Sequence, residues 1–176
     1  VQSALDTITN MLKQKQKSGE LKRLEREAVE RSMNSVKNMA PVEGLLRVGK
    51  ATQRLIDPTV SYAKAVTTDE GQIVVPAGAK INPLTVVQLT KRLVFFDGTD
   101  KTQVNAVLAM MRKDPARVKP ILVAGSWFDL TKAWKTQVYF DQRGTLSKRF
   151  GITAVPTVIS QQGAYLQVDE VPAKDL

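Results

Sequence analysis

Gly44-Leu45-Leu46-Arg47-Val48-Gly49-Lys50 has the spacing of a loop that cradles phosphate on its backbone N–H groups. Such a loop needs a Ser or Thr hydroxyl after the lysine to hold magnesium, and position 51 is alanine. No strand-like run precedes it, so nucleotide chemistry fails on two counts. A second candidate is Phe95-Phe96-Asp97-Gly98-Thr99, a strand end where phosphoryl transfer would need two carboxylates bracketing one residue before Gly-Thr. Forming an aspartyl-phosphate there would take a nucleophilic carboxylate at position 95, which is Phe95. Asp97 is therefore expected to open a turn and Asp100 to cap a helix. Cysteine and histidine are both absent. Their absence removes disulfide exchange, zinc sites built on thiolate or imidazole, and Ser-His-Asp or Cys-His nucleophiles. No catalytic residue, cofactor or metal is expected.

The chain has 176 residues, 43% of them apolar, and a formal net charge of +9. That is enough for one domain with a proper core plus an extension. The charge divides as +5 over residues 1–54, −1 over 55–90 and +5 over 91–176. A surplus spread in this way suits solubility and contact with acidic partners. Few aromatics are interleaved with the cations, which disfavours a nucleic-acid surface. The longest apolar run, Ile121-Leu122-Val123-Ala124, is far too short to cross a bilayer. No secretion signal opens the chain, which is expected to be soluble or a mature form already freed of its signal.

Three segments are expected to hold whatever function there is. Residues 1–56 form a helical segment, with Leu5, Ile8, Met11 and Leu12 at helical spacing and Leu21, Leu24, Ala28 and Val29 resuming it after Gly19. Gly19 marks either a break between two helices or a kink in one. The apolar stripe could fold back on its own domain or dock on a partner. Residues 57–90 read as a β-hairpin unit with turns at Asp57-Pro58, Thr68-Asp69-Glu70-Gly71 and Pro76-Ala77-Gly78, and with no interior helix. Residues 91–176 alternate strand and helix. Asp100 caps the first helix with Gln103 completing the cap, and Ser126 caps a second with Trp127, Leu130 and Trp134 inward. Residues 137–141 make a third strand, and a hairpin around Gln162-Gly163 ends the pattern. The order predicts one mixed sheet flanked by helices, an α/β fold.

Phe150-Gly151-Ile152-Thr153-Ala154-Val155-Pro156-Thr157-Val158, following the strand that ends Tyr139-Phe140-Asp141, resembles the thioredoxin family's approach to its cis-proline segment. The resemblance implies a thioredoxin-like sheet with Pro156 cis. The family's Cys-x-x-Cys would fall at Gly98-Thr99-Asp100-Lys101, where no cysteine stands. A wider series resembles the TraW family of F-type conjugative transfer systems. It runs through Asp57-Pro58, Gly71, Pro76, Gly78, Asn82-Pro83-Leu84, Phe96, Gly98, Asp100, Gln103-Val104, Val138-Tyr139-Phe140-Asp141-Gln142, Gly144, Arg149-Phe150-Gly151-Ile152 and Val155-Pro156. This resemblance implies a periplasmic protein of a Gram-negative type IV secretion system, needed for pilus assembly and partnered with TrbC.

Such a protein is expected to be a non-enzymatic scaffold. TrbC or another assembly component would dock on Leu5, Ile8, Leu12, Leu21 and Leu24, on the groove of Gly98, Thr99, Asp100, Ala154, Val155 and Pro156, or on both. The rival readings are a degenerate thiol–disulfide or phosphatase-like enzyme, and a nonspecific nucleic-acid binder resting on charge alone.

Overall fold

Gly19 holds a left-handed conformation at φ +74° and separates two helices, α1 (Ala4–Lys17) and α2 (Glu20–Lys37). The two-helix alternative, not the kinked one, is the structure. The computed structural model describes residues 4–17, 19–37 and 39–176. Residues through Met39 form one compact unit, and Ala40–Leu176 form the other.

The second unit is built on a six-stranded mixed sheet. Its centre is β7 (Arg92–Asp97), followed by α3 (Lys101–Lys113), β8 (Val118–Ala124), α4 (Trp127–Trp134) and β9 (Tyr139–Phe140). These three strands are parallel, as strand–helix–strand crossovers require. A short helix α5 (Thr145–Arg149) and a two-residue strand β10 (Ala154–Val155) lead into the hairpin β11 (Thr157–Gln162) and β12 (Tyr165–Glu170). β11 returns antiparallel beside β7. The Val155–Pro156 bond is cis. The expected mixed sheet flanked by helices, thioredoxin-like in order, is thus the fold.

Alternation along the strands makes two cores. Val94 and Phe96 face one side with Val107, Met111 and Leu122 under α3 and α4. Phe95 faces the other with Ile121, Val155, Ile159 and Val168. Trp134 stacks on Phe96 with ring centroids 5.8 Å apart, and Trp127 and Leu130 pack beside it. All three side chains of α4 point inward, as their spacing predicts.

Four details differ from the sequence reading. Residues 46–47 and 52–56, assigned to the helical segment, are strands β1 (Leu46–Arg47) and β2 (Thr52–Ile56). β2 is an edge of the main sheet, paired antiparallel with β12. The third parallel strand is only two residues long, because the Val138 N–H is taken by the Thr131 hydroxyl at 3.0 Å. Residues 57–90 form the expected hairpin arm, with β3 (Val60–Ser61) on β6 (Lys80–Ile81) and β4 (Val66–Thr67) on β5 (Ile73–Val75). Asp57 opens its first turn by accepting from the Thr59 hydroxyl at 2.6 Å and the Thr59 N–H at 3.0 Å. Those bonds hold its carboxyl below the usual carboxylate range. A single 3-10 turn at Pro83–Thr85 interrupts the unit. Lastly, the buried Gln103 amide does not complete a reciprocal cap. It accepts from Asp97 N at 2.9 Å and donates to the Asp100 carboxylate at 3.1 Å.

The buried carboxylate of Asp141 ties β9 to α5. It accepts from Leu146 N (2.9 Å), Ser147 N (2.9 Å) and the Ser147 hydroxyl (2.6 Å). Charged helix caps of this kind rank among the stronger single interactions. Asp141→Ala is expected to destabilise the protein by about 2–3 kcal/mol, read from urea melts, because three donors lose their acceptor.

Candidate functional site

The candidate groove lies where β7 and β8 end and the cis-proline segment begins. Asp97 accepts from Thr99 N at 2.8 Å and the Thr99 hydroxyl at 2.7 Å, turning the chain out of β7. Asp100 caps α3 through Thr102 N at 3.0 Å. Both carboxylates therefore have structural partners, and Phe95 between the sheet faces is fully buried.

Gly98 is set by backbone crowding. Its N–H donates to the Ala124 carbonyl at 2.8 Å. A β-carbon there would stand 2.7 Å from that same oxygen and 2.8 Å from Leu122 Cδ2. Gly125 leans in from the other strand, and its own β-carbon would meet Gly98 Cα at 2.9 Å. The two strand ends touch backbone to backbone. The position where the thioredoxin resemblance would put its first cysteine thus accommodates no side chain at all.

The proline side of the groove is closed by the chain itself. β1 pairs in parallel with β10, Leu46 beside Ala154 and Arg47 beside Val155. Leu46 N donates to the Thr153 carbonyl at 3.0 Å, and Val48 N donates to the Val155 carbonyl at 2.8 Å. Upstream, Val42 N donates to the Val123 carbonyl at 2.8 Å. Val42 and Leu45 pack on the second core, and Val48 is buried. The Arg47 guanidinium reaches across to the Asp100 carboxylate at 3.2 Å. Residues 42–48 form a strap lying in the groove as an extended ligand would.

The sequence-predicted groove residues are thus brought together, but not as an open surface. Gly98 and Asp100 are half-buried and Thr99 is exposed, whereas Ala154, Val155 and Pro156 are buried. The strap was missed by sequence reasoning, which tested residues 44–50 only as a phosphate loop. Arg54 was missed as well. Its guanidinium donates to the Phe150 and Gly151 carbonyls at 2.8 and 2.7 Å, closing the end of α5.

The N-terminal stripe is the opposite case. Leu5 is 72% exposed, Ile8 54%, Leu12 50% and Leu24 40%, with Leu21 half-buried. Met11, Val29 and Met33 extend the exposed apolar face. Among the described residues, no helix is long and apolar enough to cross a membrane.

No family model matches the chain, and no solved structure does. Protein TraW of Escherichia coli (strain K12) is 34% identical to it over 175 residues, covering 97% of this chain and 82% of that protein. The chain belongs to the TraW family. That agrees with the ordered motifs from Asp57-Pro58 to Val155-Pro156, and gives the protein a role in conjugative transfer.

Two outcomes test this geometry. Installing Gly98→Cys with Lys101→Cys restores the spacing of a redox pair. It is expected to cost about 2–3 kcal/mol through overpacking at position 98 and to confer no insulin-reductase activity. On the strap, Val48→Ala is expected to lower stability by about 1–2 kcal/mol through lost burial. Arg47→Ala changes it by less than about 1 kcal/mol, since the arginine end of its ion pair stands in water and Asp100 keeps its cap bond to Thr102 N. Equal effects would mean that charge holds the strap.

Proposed function

We propose that this protein is a non-enzymatic periplasmic scaffold of an F-type type IV secretion system, needed for conjugative pilus assembly. It binds a TrbC-type partner through the exposed stripe of α1 and α2. The observation that carries this reading is the contrast in coverage between the two expected docking surfaces. The proline-side edge already has its hydrogen bonds made by Leu46 and Val48, while Leu5, Ile8 and Leu12 stand half or more in water.

The energetics favour an occupant for that stripe. Short isolated helices are marginal in water, so an apolar face on them gains most when something covers it. Burying several large side chains at ~25 cal/mol per Å2 contributes several kcal/mol, enough to order two helices on a partner. The lack of cysteine, the phenylalanine at position 95 and the tied carboxylates of Asp97 and Asp100 support a binding role over a thiol or phosphatase role. Membership of a conjugative family supports placement in the periplasm and a role in pilus assembly.

The double variant Ile8→Asp, Leu12→Asp tests the reading by titration against TrbC and by thermal melting. Affinity is expected to fall at least about tenfold, since two apolar anchors of roughly 1.5 kcal/mol or more are replaced by charges. The melting midpoint of the thioredoxin-like domain should stay where it is. Unchanged affinity would remove the helices from the interface.

A further inference from the structure

The fold gathers charge that the sequence left scattered. Residues 40–176 hold eighteen basic and twelve acidic side chains. β7 and β8 run parallel and α3 returns between them. The topology therefore brings the start of both strands and the end of α3 to one pole, opposite the cis-proline groove. Arg92 starts β7, Arg112 and Lys113 end α3, Arg117 precedes β8 and Lys119 lies within it. α4 also ends at this pole, with Lys135 as its C-cap.

Cations at helix ends offset the helix dipole, which accounts for Arg112, Lys113 and Lys135. It does not account for Arg117, Lys119 or Arg92. Among the described residues, Arg92, Arg112, Lys113, Arg117 and Lys135 form no ion pair. Lys119 rests on the Tyr139 ring, 4.3 Å from its centroid. The acidic groups facing the pole are Asp114 and, past Arg92, Asp169, Glu170 and Asp175 along a neighbouring cleft. A cleft of about 420 Å3 is lined by Arg92, Lys113 and Asp114 together with the apolar Ala109, Met110 and Leu176.

We propose that this pole is a docking surface for an acidic segment of a partner protein, one that alternates carboxylates with apolar residues. Arg side chains take carboxylates in paired hydrogen bonds, and the apolar lining suits a neighbouring aliphatic side chain. A bilayer surface would call for large exposed apolar side chains to insert, and the pole offers only Tyr139, held beneath Lys119. Single-stranded nucleic acid would call for open aromatic platforms, and Trp134 is engaged on Phe96. The surface is independent of the α1–α2 stripe.

The full chain is titrated at low salt with a fluorescein-labelled peptide of repeating Glu-Asp-Leu-Glu, with phosphatidylglycerol vesicles and with a single-stranded oligonucleotide. Two pole variants are used, R112E/K113E/R117E and the milder R112Q/K113Q/R117Q, so that a folding defect in one does not end the test. The control K64E/K80E/K148E carries the same charge change as the first of these, away from the pole. The expected result is peptide binding that falls at least about tenfold in both pole variants and less than about twofold in the control. Absence of peptide binding, or equal loss in the control, overturns the proposal. So does vesicle or oligonucleotide binding that matches the peptide's and depends on the same residues.

Discussion

Backbone N–H and C=O groups at a sheet edge must be satisfied by something, and an unsatisfied edge recruits other chains. At Ala154–Val155 the partner is the chain's own strap, through Leu46 and Val48. The thioredoxin resemblance implies an edge left open for an extended guest. Here the guest is covalently attached and anchored at both ends, by Val42 on Val123 and by Val48 in the core. The strap also brings Arg47 onto Asp100, so the cap of α3 and the proline segment are joined through one stretch of chain.

The end of β7 is closed as well, and the sequence holds no cysteine. With Gly98 and Gly125 in backbone contact, the end of β7 has been tightened until no β-carbon fits. The domain has engaged carboxylates and a filled groove. Such a domain is suited to being held and to holding, and α1 and α2 carry a run of unburied apolar side chains of their own.

Much of the main sheet was legible in the sequence because its signals are local. Asp100 and Ser126 announced their helices, Gly151 ended α5, and the apolar run at residues 92–96 could only be a buried strand. The strap and β2 were not legible for a physical reason. Their partners lie more than a hundred positions away, Leu46 on Ala154 and Ile56 on Leu166, and both strands are mostly exposed. Without a buried face there is no alternation to read. Gln103 misled for a related reason. Its spacing from Asp100 fits a reciprocal cap, but the tertiary fold offers its amide a second partner in Asp97 N.

The central claim is that the groove stays closed while the helices do the docking. Amide hydrogen exchange, compared for the free protein and its complex with TrbC, tests both halves at once. The account predicts that Leu46 and Val48 keep the same protection in the complex, while the amides of α1 and α2 become markedly slower. Loss of protection at Leu46 and Val48 on binding, with α1 and α2 unchanged, would mean that the partner displaces the strap, and would contradict it.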